Sequence, residues 1–107
     1  MSYGKLVRDK IPEIIIKNGE KPITRILDDQ EYVLELEKKL MEEANEVLTA
    51  KGKERLEELA DLLEVMESLA CSESSSLEEV LNIKQNKKQK RGGFEEKIYL
   101  EGVEKKE

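Results

Sequence analysis

Residues 42–63, EEANEVLTAKGKERLEELADLL, set acidic residues among the leucines instead of opposite them. At about 100° per residue, Val33, Leu36, Leu40, Ala44 and Val47 share one helical arc, and Glu43 projects into that arc between Leu40 and Val47. Glu46 lies at the edge of the arc, and Glu42 turns toward solvent. After Gly52 a second helix carries Leu56, Leu59, Leu63 and Met66. On it Glu58 stands in line with Leu62, Val65 and Leu69, with Asp61 one step beyond. A link of only a few residues makes the two helices antiparallel neighbours, which brings the pairs Glu43/Glu46 and Glu58/Asp61 face to face.

Outward from this hairpin the chain remains mainly helical. Asp28 with Glu31 has capping-box spacing at the start of the first long helix. Ser76 with Glu79 repeats that spacing before a third long helix that ends at Gly92-Gly93. Pro12 suits the first turn of a short helix running to about Lys17 and closed by Asn18-Gly19. KPITRIL (21–27) and FEEKIYL (94–100) read as short strands able to pair. The expected architecture is all-α: three main helices plus a short N-terminal helix in an antiparallel bundle, with small peripheral strands, in a single domain over 1–107. A hairpin plus one helix is a thin bundle. A second subunit is therefore expected to cover the wide apolar arc of the second long helix, including Leu62, Val65 and Leu69, giving a homodimer or higher homo-oligomer.

Composition narrows the chemistry. Charged residues make up 41% of 107, and aromatic residues only 4%. With no His in the chain, a Ser-His-Asp triad, a Cys-His pair and an imidazole zinc site are excluded. The single Cys71 cannot close an internal disulfide, which fits a reducing compartment and a packed small apolar residue rather than a nucleophile, and it is given no role. No apolar run approaches a membrane span and no signal peptide is evident, so a cytoplasmic protein without a membrane partner is expected. A net charge of -6 argues against general nucleic-acid binding.

Carboxylates gathered on a half-buried face repel one another and lose hydration, so a positive group is needed between them. With oxygen ligands alone the expected ion is hard, Mg²⁺ or Mn²⁺. Acidic pairs three residues apart are common on charged helices. Two pairs on adjacent helices, one of them inward, favour a metal site over a solvated face. On the third helix the line Leu77, Leu81 continues to Lys84, Lys88 and Arg91, with Asn86 on the same last turns. A cationic helix end suits a polyphosphate bridged by Mg²⁺, although basic residues there also complement the helix dipole. Lys5, Arg8 and Lys10 form a second basic patch, a weaker candidate for substrate contact, in which Arg8 could pair with Asp9.

Glu43-x-x-Glu46 followed by Glu58-x-x-Asp61 resembles the E-x-x-E…E-x-x-D signature of the all-α nucleoside triphosphate pyrophosphohydrolases, the MazG-like superfamily that includes phosphoribosyl-ATP pyrophosphohydrolases. Asn86-x-Lys88-x-x-Arg91 looks like that family's phosphate-side element. KLVRDKIPEII and RGGF look like one of its small subgroups. The resemblance implies a helical assembly that is at least dimeric, with Glu43, Glu46, Glu58 and Asp61 as Mg²⁺ ligands. It implies cleavage between the α and β phosphates, releasing a nucleoside monophosphate and pyrophosphate. Glu43 and Glu46 are both candidates for the general base, while Lys88 and Arg91 would hold the departing pyrophosphate.

No residue pattern reads a base. The substrate expected is a noncanonical or excess nucleoside triphosphate, with the phosphoribosyl nucleotide of histidine biosynthesis as the rival. A non-catalytic helical dimerisation module is the reading from a different class.

Overall fold

Two long amphipathic helices joined by a very short link can hide their apolar faces only against each other, and this pairing organises the protein. The computed structural model describes residues 4–106. Its elements are α1 (Ile11–Lys17), α2 (Asp29–Thr49), α3 (Lys53–Ser72) and α4 (Leu77–Arg91). The chain divides into two compact units, residues 1–77 and 78–107, and the α2–α3 hairpin lies in the first. Among the described helices, α2 and α3 are the pair that packs together.

Local chemistry sets the helix ends. Asp28 is extended and its Oδ1 accepts from the Glu31 N–H at 2.8 Å, satisfying a backbone donor that α2 cannot pair internally. The Glu31 carboxylate takes the Arg25 guanidinium through both oxygens, at 2.8 and 3.3 Å. Between the long helices Gly52 has φ +59, a backbone region that favours glycine, and the chain reverses there. Arg55 Nε closes the turn on the Ala50 carbonyl at 2.9 Å. Pro12 occupies the first turn of α1, whose end is capped by Asn18. Gly92 at φ +81 follows α4 and returns its N–H to the Lys88 carbonyl at 2.8 Å.

The core is small. Leu36 on α2, 3% exposed, and Val65 on α3, 9% exposed, are the buried hydrophobic side chains among the described residues. Around them Leu40, Ala44 and Val47 of α2 and Leu62 and Leu69 of α3 are half-buried. This corrects the expected roles of the two apolar rows of α3. Val65, Leu62 and Leu69 take the covered side within the chain itself, whereas Leu56, Leu59, Leu63 and Met66 are left exposed. Both rows have helical spacing, so only the rotation of α3 against α2 could separate them.

The expected peripheral strands are absent among the described residues, where residues 21–27 and 94–100 carry no strand. A strand needs a partner for its backbone groups, and Pro22 lacks a donor. The β-branched residues that suggested a strand are open to solvent, with Ile23 99% and Ile26 94% exposed. Composition favoured extended backbone, but no pairing follows from it.

Leu36→Ala should destabilise the protein by about 2–4 kcal/mol in chemical denaturation, because it empties the best-buried position. Asp28→Ala should cost about 1 kcal/mol by removing the cap of α2.

Candidate metal centre

The inward faces of α2 and α3 are apolar along much of their length, but near the hairpin's middle they are acidic. Glu43 sits one turn beyond Leu40 on α2, and Glu58 and Asp61 precede Leu62 and Val65 on α3. All three acids are half-buried. One carboxylate oxygen from each of Glu43, Glu58 and Asp61 lies within 4.8 Å of the others. Hard cations hold oxygens at about 2.0–2.6 Å, so opposed ligands stand roughly 4–5 Å apart. The spread of the three oxygens is of that order.

Glu46 differs from its neighbours. It is exposed and stands outside the group of three, although its charge still weighs on Glu58. Position at the edge of the arc explains this, since a residue three along from Glu43 is rotated by about 300°.

The crowding has an electrostatic signature. Partial burial, then the Asp61 charge, push the Glu43 carboxyl above its ordinary value, with Lys39 opposing. Glu58 is also raised, first by burial and then by Glu46 and Asp61, partly offset by a hydrogen bond with Glu43.

Two cations answer the acids. Lys39 stands one helical turn before Glu43 with its side chain only 19% exposed, and its Nζ is 3.9 Å from Glu42 Oε1. Its i, i+4 relation to Glu43 was visible in the sequence, but its burial was not. Arg8 Nη2 donates to Asp61 Oδ1 at 2.7 Å. Arg8 thus pairs across 53 positions of chain rather than with neighbouring Asp9, and no local pattern could have found that.

Lys5 is exposed before α1. Lys84, Asn86, Lys88 and Arg91 are exposed on α4, in the second unit, where Lys88 Nζ stands 3.7 Å from Glu95 Oε1. α4 has no buried residue and its last turn carries Lys88, Lys90 and Arg91. Cys71 is exposed rather than packed. Among the described residues, no helix is long and apolar enough to cross a membrane.

No family model matches the chain, and no solved structure matches it significantly. An uncharacterized protein of Mycolicibacterium smegmatis is 47% identical over 47 residues, a match covering 44% of this chain. The match spans about half of that relative's length, 48%.

A carboxyl whose pKa is higher in the folded than in the unfolded state adds stability that is complete below the unfolded value. That stability is lost as pH rises through the folded value. Glu43 and Glu58 are raised from 4.5, so the metal-free protein should melt higher near pH 5 than at pH 7. Glu31 is shifted the other way by Arg25, so further acidification removes its contribution. Glu43→Gln should raise the metal-free Tm at pH 7 by about one to a few degrees and flatten its dependence on pH, measured by calorimetry.

Proposed function

We propose that the protein is a Mg²⁺-dependent nucleoside triphosphate pyrophosphohydrolase, with Mn²⁺ as an alternative ion. The observation that carries this reading is the convergence of Glu43, Glu58 and Asp61 oxygens within 4.8 Å on facing helices. The resemblance of Glu43-x-x-Glu46…Glu58-x-x-Asp61 to the pyrophosphohydrolase signature supplies the reaction class.

Glu43, Glu58 and Asp61 would hold the ion. When bound, Mg²⁺ neutralises charge on a polyphosphate and makes a water more acidic. Glu46, outside the group of three, would be the carboxylate that accepts a proton from the attacking water. The half-buried apolar residues beside the acids, Leu40 and Leu62, limit solvent around them, which strengthens each charge interaction. Attack at the α-phosphorus forms a bond to the water oxygen as the bond to the bridging oxygen breaks. A nucleoside monophosphate and pyrophosphate result. The substrate proposed is a noncanonical or excess nucleoside triphosphate, handled in the cytoplasm.

The same reading includes a homodimer. On α3 the exposed residues Leu56, Leu59, Leu63 and Met66 repeat at three and four residues, the spacing of a seam between helices. Leu34, Met41 and Leu48 repeat every seventh residue on α2, at 55%, 68% and 72% exposure. Apolar rows of this length on a hairpin with so small a core favour burial against a second copy.

Millimolar-scale Mg²⁺ should raise the wild-type Tm by several degrees, and Asp61→Asn should lose that shift. With a panel of nucleoside triphosphates, the nucleotide giving the largest further shift should release pyrophosphate, and Glu46→Gln should slow that release by about 10²-fold or more. If neither Mg²⁺ nor any nucleotide moves the wild-type melt, the acids are solvated charge and the protein is a helical interaction module. Sedimentation should show a dimer that Leu59→Glu with Leu63→Glu converts to monomer.

A further inference from the structure

Through its pair with Asp61, the Arg8 side chain brings the segment before α1 to the acidic centre. Asp61 is also one of the three residues whose oxygens could hold a cation. The contact is a single N–H to a single oxygen, at 2.7 Å, with the side chains 60% and 44% exposed. A guanidinium held this way is weakly held, because solvent competes for both partners. Residues 6–8 form neither helix nor turn, and α1 has no buried residue.

We infer that Arg8 is an exchangeable counter-cation, which neutralises Asp61 in the metal-free protein and passes to a phosphate oxygen of the substrate when a divalent ion takes the carboxylate. The inference rests on the proposed metal-dependent reading and adds a specific phosphate ligand to it. Before the ion arrives, three crowded carboxylates need positive charge, and Arg8 supplies part of it. Once the ion supplies that charge, Arg8 at Asp61 is redundant and repelled. Its planar fork of donors then stands beside the centre to which the ion draws a polyphosphate, and guanidinium binds phosphate oxygens through paired, charge-assisted hydrogen bonds. Arg8 therefore opposes the metal alone but favours metal and polyphosphate together. A merely structural ion pair would not produce these opposite signs.

The test titrates the full chain calorimetrically, first with Mn²⁺ alone and then, at saturating Mn²⁺, with inorganic tripolyphosphate. Arg8→Gln should bind Mn²⁺ about two- to five-fold more tightly than wild type, the scale of an exposed ion pair removed from competition. The same variant should bind tripolyphosphate about ten-fold or more weakly, the scale of a lost charge-assisted bond. Arg25→Gln, which removes an equal charge from another exposed pair, with Glu31, should change neither affinity. Unchanged or weaker Mn²⁺ binding by Arg8→Gln, with wild type binding normally, overturns the exchange and leaves the metal site standing. Tighter Mn²⁺ binding without the loss for tripolyphosphate also overturns it, as does an equal gain in Arg25→Gln. Failure of wild type to bind Mn²⁺ at all overturns both the exchange and the metal-dependent reading.

Discussion

The packing of α2 against α3 is the interaction on which the described structure depends. Leu36 and Val65 reach the interior of that contact, and the half-buried Leu40, Ala44, Val47, Leu62 and Leu69 extend it. On α3 two apolar rows compete for that contact, and the row of Leu62, Val65 and Leu69 takes it while Leu56, Leu59, Leu63 and Met66 stay exposed. The rotation that buries Val65 also turns Glu58 and Asp61 toward α2. Hydrophobic packing and the gathering of acids are thus one geometric fact.

That arrangement opposes itself electrostatically. Burial and mutual repulsion raise the carboxyls of Glu43 and Glu58, so the hairpin holds its acids together at some cost in stability. Lys39 and Arg8 reduce the cost from two directions, one along α2 and one from the segment before α1.

A large part of the fold was legible from residue chemistry. Asp28, Gly52, Asn18 and Gly92 mark helix ends by requirements that act over one turn, and those ends stand where local rules put them. The inward position of Glu43 followed from its place between Leu40 and Val47 on one helix. Residues 21–27 and 94–100 were not legible in the same way: β-branched side chains permit extended backbone, but a strand exists only with a partner.

What the sequence by itself determined was therefore local: the helices, their caps, the reversal at Gly52 and the presence of acids on apolar faces. Periodicity and capping involve residues within a turn or two of each other, and the chain order carries them directly. The tertiary structure alone decided which row of α3 faces α2, that Glu46 stands outside the trio formed by Glu43, Glu58 and Asp61, and that Arg8 reaches Asp61. Those outcomes depend on helix rotation and on contacts between residues far apart in the chain. Two leucine rows at the same spacing are equivalent until a second surface chooses between them.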